Sequence, residues 1–172
     1  VSTGDANIAI GSNALLVHTT GSNNIAIGAN AMDDTDGTNI TSGSAATVLG
    51  SVDNIFVGFN SGSGNWCNGV AAAASNYNVG VGTYALSGEM NGAQFNTALG
   101  QSALRNVSSS SYNTGLGYGA GQAITTDKNV VAIGGLAYNV MNTASDADTG
   151  TGSGNVAIGY KSMTAYSNAG AI

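Results

Sequence analysis

The chain has 172 residues, room for one domain, yet only 7% are charged, 27 are glycine and none is proline. A formal net charge of −6 with Arg105, Lys128 and Lys161 as the only fixed cations excludes a phosphate-backbone binder, which needs clustered Lys and Arg. Hydrophobic content of 42% at such low charge is the reverse of a disordered composition, and no run nears the ~18–20 apolar residues of a membrane span.

Eight short segments run into a glycine. In chain order they are Asn7-Ile8-Ala9-Ile10-Gly11, Asn24-Ile25-Ala26-Ile27-Gly28, Asn54-Ile55-Phe56-Val57-Gly58 and Asn78-Val79-Gly80-Val81-Gly82. The other four are Asn96-Thr97-Ala98-Leu99-Gly100, Asn113-Thr114-Gly115-Leu116-Gly117, Val130-Val131-Ala132-Ile133-Gly134 and Asn155-Val156-Ala157-Ile158-Gly159. The glycines are 17, 30, 24, 18, 17, 17 and 25 residues apart, a basic period of 17–18 with three longer units. A fixed repeat of this length implies units that bury their apolar faces on one another. Gly, Asn and Ser content opposes long helices.

Before each glycine the side chains alternate large, small, large, with Phe56 the one bulky residue in the small position. This alternation predicts a strand with two distinct faces. On this reading the Ile, Val and Leu rows fill the coil interior, and the Ala–Gly face permits close approach of another chain. The glycine marks a corner. Three residues beyond it stands a small side chain, from Ala14 to Ser162, and next to that usually a larger one such as Leu15, Met32, Leu86 or Leu104. This pair predicts a second short edge. The leading asparagine suits a turn and, stacked, a hydrogen-bonded ladder.

The expected fold is therefore all-β: a parallel β-solenoid, or β-roll, of about eight short coils. Residues 1–172 form a single repeat segment. The start at Val1 and the stop at Ile172, inside a ninth motif, suggest a piece of a longer fibrous protein. A 17-residue coil encloses so little apolar surface that its burial barely offsets chain entropy of about 1–2 kcal/mol per residue. Lateral association, with a parallel homotrimer as the simplest arrangement, is the expected remedy.

Asn96-Thr97-Ala98-Leu99-Gly100-Gln101-Ser102-Ala103-Leu104, and Asn7 to Leu15 with Thr19-Thr20-Gly21-Ser22-Asn23 after it, resemble the repeats of bacteriophage tail fibres. The five-residue core is also similar to that of trimeric autotransporter adhesin heads. The resemblance implies a homotrimeric fibre on a virion tail, outside the cell, supporting or mediating attachment to a host-surface glycan or protein. The head or filament of a bacterial surface adhesin is the alternative. A glycan depolymerase tailspike is a second alternative.

Candidate sites are sparse. Asp33-Asp34-Thr35-Asp36-Gly37-Thr38-Asn39 spaces oxygen ligands as Ca²⁺ prefers, with Asp146-Ala147-Asp148 a weaker echo, but both lack the downstream glutamate of a full calcium loop and read as solvated turns. No metal or other cofactor is expected. Cys67 is the only cysteine and reads as an inert thiol. Aromatic residues (Trp66, Tyr77, Tyr84, Phe95, Tyr112, Tyr118, Tyr138, Tyr160, Tyr166) either stack on sugar rings or wedge between coils or chains. Trp66 is the candidate ligand-binding residue, expected to protrude. Carboxylates do not recur at equivalent positions as a glycosidase pair requires, and His18 has no acidic orienter beside it in the repeat. The segment is expected not to be an enzyme.

Overall fold

Each pentapeptide forms one three-residue strand in a computed structural model that describes residues 4–18, 20–33, 50–66, 73–139 and 154–164. The strands are β1 (Ile8–Ile10), β2 (Ile25–Ile27), β3 (Ile55–Val57), β4 (Val79–Val81), β5 (Thr97–Leu99), β6 (Thr114–Leu116), β7 (Val131–Ile133) and β8 (Val156–Ile158). They pair in chain order as one parallel sheet. Among the described residues there is no helix. The protein is an all-β parallel solenoid.

Register survives the insertions. Val57 lies opposite Val81 across the 24-residue interval, and Ile133 opposite Ile158 across the 25-residue one. A slip of one residue would exchange the two faces, so the extra residues fall between strands rather than within them.

The faces are the reverse of the expected ones. The small middle residue points inward: Ala26, Ala98, Ala132 and Ala157 are buried. The flanking aliphatics point out, with Ile10 58%, Leu99 49% and Ile158 65% exposed. The physical reason is coil width. A 17-residue coil is too thin for two large side chains per strand, so only the small side chain fits inside. The lumen is filled instead from the position four beyond the glycine, where Leu15, Met32, Leu86, Leu104 and Tyr138 are buried. Phe56 fits because its neighbours give way. A Cβ on Gly80, one coil on, would stand 2.6 Å from the Phe56 ring, and one on Gly62 would stand 2.8 Å from it.

Each motif glycine leads into a tight turn rather than a second strand. The residues two and four beyond it are left-handed in all eight coils, from Asn13 (φ 59°) and Leu15 (φ 54°) to Lys161 (φ 53°) and Met163 (φ 53°). Non-glycine residues enter this region at about 1–2 kcal/mol each. Bonds between coils offset the strain: Ser102 N–H donates to Thr83 O at 2.9 Å, and Leu104 N–H to Ala120 O at 2.9 Å. The motif glycines carry φ of 118–140°. At Gly100 a Cβ would meet the Gly117 carbonyl oxygen at 2.5 Å. Glycine is required there by both backbone conformation and space.

Buried asparagines form the spine. Asn24 Nδ2 donates to Asn7 Oδ1 at 3.1 Å, and Asn54, Asn78, Asn96 and Asn113 repeat the bond at 3.0, 3.2, 3.0 and 3.0 Å. The same Oδ1 atoms accept the next asparagine's backbone N–H. The amide also donates to a carbonyl within the stack, as from Asn96 to Ser110 O at 2.9 Å. Satisfied polar groups are what a thin core requires. Val130 interrupts the side-chain ladder; its N–H still donates to Asn113 Oδ1 at 2.9 Å. Beyond it the Tyr138 hydroxyl accepts from Asn155 Nδ2 at 3.0 Å and donates to Asp127 Oδ2 at 3.1 Å.

Candidate interaction surfaces

Two rows of side chains cover the outer face of the sheet. One runs Ile8, Ile25, Ile55, Val79, Thr97, Thr114, Val131, Val156; the other runs Ile10, Ile27, Val57, Val81, Leu99, Leu116, Ile133, Ile158. No charged residue occurs in either. At ~4.8 Å per strand the rows extend about 34 Å. They range from half-buried to well exposed. A contiguous apolar strip of this length marks an interaction surface rather than scattered surface leucines.

The aromatic residues divide into three groups. Trp66, expected to protrude, is fully buried and meets Phe56 edge-on, with ring centroids 5.7 Å apart. It extends the core beneath the bulky Phe56 and presents no contact surface. Tyr138 is buried as well. The second group is a stack. Tyr77, Phe95 and Tyr112 precede the buried asparagines of three successive coils, and their rings lie 4.8 and 5.1 Å apart at interplanar angles of 9° and 8°. Stacking occupies both faces of Phe95 and one face of each tyrosine, so these rings bind coils to one another.

The third group lies at the corner after the strands. Phe59 meets Tyr84 edge-on at 5.7 Å, and Arg105 places its guanidinium 5.0 Å from the Tyr84 ring centre. Tyr118, in the same repeat position as Phe59, is 57% exposed. Tyr160, again in that position, lies across Gly135, where a Cβ would stand 3.4 Å from its ring. Lys161 holds its Nζ 5.3 Å from the centre of the Tyr160 ring. Only the recurrence of an aromatic one residue past the glycine (Phe59, Tyr118, Tyr160) signals this group in the sequence.

The remaining expected features do not converge. His18 is buried, its Nε2 3.1 Å from Asn24 Nδ2. Among the described residues no three His, Cys, Asp or Glu side chains gather as a metal site would need. Of the acidic loop only Asp33 is described; Asp34 to Asn39, Asp146, Asp148, Cys67 and Tyr166 lie outside the described residues. No helix in the described part is long and apolar enough to cross a membrane.

Comparison with protein-family models, curated proteins and solved structures returns no match.

Proposed function

We propose that this chain is a structural segment of a phage tail fibre: a rod that associates as a parallel homotrimer and supports attachment to a host cell surface. The observation that carries the reading is the outer face of the sheet, two uncharged rows about 34 Å long left open along a single chain. Burying what remains exposed of each aliphatic side chain there contributes part of the ~1.5–3 kcal/mol that full burial gives. Parallel alignment matches like with like, so Thr97 and Thr114 meet their own copies instead of Val79 or Ile55. The fibre setting draws on the repeat itself, whose Asn96–Leu104 unit resembles tail-fibre sequence. The role is mechanical rather than catalytic. In support, the described acids Asp5, Asp33, Asp53, Glu89 and Asp127 stand at different positions of the repeat.

Light scattering on the purified segment tests the assembly. The expected mass is about 50 kDa, three times the 16.8 kDa chain. Leu99→Glu combined with Leu116→Glu places six carboxylates, two from each of three chains, along the shared face and is expected to return the monomer mass. A monomeric wild type would overturn the reading.

A further inference from the structure

Beyond the second coil, where Asp33 stands five residues past the glycine, the corner after the strands differs in charge from the rest of this acidic molecule. From the third coil to the eighth, the five residues after each motif glycine are 59–63, 83–87, 101–105, 118–122, 135–139 and 160–164. None of these thirty (five in each of six coils) is Asp or Glu, yet they hold Arg105 and Lys161, two of the three fixed cations in a chain of net charge −6. The same corner carries Phe59, Tyr84, Tyr118 and Tyr160. Both cations are held against aromatic rings, 5.0 and 5.3 Å from their centres. A contact over a ring face is weak at an exposed site and leaves N–H donors of the cation for other partners.

We infer that this corner binds a linear acidic polysaccharide, laid along the solenoid axis. Phe59 and Tyr118 supply the ring faces on which the C–H faces of the sugars pack. The perpendicular contact with Tyr84 covers at most one face of Phe59, and Tyr118 makes no ring contact with another aromatic in the described residues. Arg105 and Lys161 supply donors for sugar carboxylates. Phe59 and Tyr118 lie three coils apart, about 14 Å along the axis at ~4.8 Å per coil. An extended polymer therefore meets ring and cation repeatedly. Two cations are too few to hold a nucleic-acid backbone, whose binding scales with the number of phosphates neutralised. Each contact is weak, but repetition along one rod and across associated chains raises the effective concentration of the rest. This inference deepens the attachment reading and rests on it for the setting in which such a polymer is met.

The test is titration of the purified segment with an oligogalacturonate, with a neutral dextran oligomer and an oligo-dT of similar length as comparisons. Binding of the oligogalacturonate alone, weakened by added salt, is expected. Tyr118→Ala and Arg105→Gln should each weaken it at least fivefold, Arg105→Lys should restore part of the loss, and Phe95→Ala in the closed stack should leave it unchanged. Circular dichroism on each variant checks that the fold persists. No oligogalacturonate binding, equal binding of dextran, or equal binding of oligo-dT would each overturn the inference. Light scattering on the same samples separates the two proposals. A trimer that binds no glycan removes this one and leaves the rod, while a monomer removes the rod whatever it binds.

Discussion

Asn96 shows how much one residue carries in a core this thin. Its amide donates to Asn78 Oδ1 and Ser110 O, and its oxygen accepts from the backbone and side chain of Asn113. Asn96→Ala leaves several buried groups unpaired, at about 1–3 kcal/mol each. A loss of about 3 kcal/mol or more in a guanidinium unfolding titration is expected. Asn96→Asp keeps the acceptor and removes the donors, and burial raises a carboxyl pKa above its usual ~3.9. The folded variant then holds a proton that the unfolded chain releases. Its stability is therefore greatest below pH ~4 and is lost as pH rises through the folded value. Unfolding midpoints at pH 4 and pH 8 check this; equal midpoints would show that the side chain had turned out to solvent.

At the scale of the strand, a bulky residue and its missing neighbour form one unit. Phe56 occupies the small inward position of β3, and Gly80 of β4 leaves it the space. Gly80→Ala is expected to destabilise by about 1–3 kcal/mol through overpacking. Phe56→Ala is expected to cost about 3–5 kcal/mol through the cavity it leaves. Together they should cost clearly less than the sum, since the added methyl enters the vacated space. Strict additivity in the double-mutant cycle would show that the two do not share it.

The same pair separates what is legible in the residues from what is not. Glycine spacing and large–small–large alternation locate all eight strands, because period-two patterning is a local property of the chain. Which face turns inward is not local. Alternation defines two faces and leaves their assignment to coil width, and Ala–Gly opposite Ile–Leu admits either choice until the lumen is measured. Asparagine in the alternating position just before seven of the eight strands is the available clue, since it shares a face with the small residue and its amide needs internal partners. Trp66 escapes a local reading for a related reason. An insertion ordinarily faces solvent, whereas here Phe56 pushes the core outward to meet it. The corner site is legible only in the recurrence of an aromatic one residue past the glycine, which sets Tyr118 apart from the stacked Tyr112 but says nothing of the cations packed beside such rings.

For the whole molecule, regularity means that a complete coil is the unit of change. Excising residues 101–117 joins Gly100 to Tyr118 and keeps the register of every remaining strand. Asn96 then inherits the place of Asn113 and accepts the Val130 N–H. The shortened protein is expected to fold cooperatively with retained β-type circular dichroism. Excising 101–108, about half a coil, leaves Gly100 and Gly117 only nine residues apart, too few to carry β6 round to β5, and should abolish the cooperative transition. Comparable unfolding of both would show that the coils do not constrain one another.

In every amide-to-amide bond of the asparagine spine the donor lies in the later coil and the acceptor in the earlier one. The row of side-chain dipoles therefore has a head and a tail, and two such rods laid side by side differ when one is inverted. Length in this protein is also counted in whole steps: each added coil advances the tip by one strand spacing and turns nothing around. A lineage could lengthen or shorten its reach by duplicating or dropping a unit, with no new core to invent.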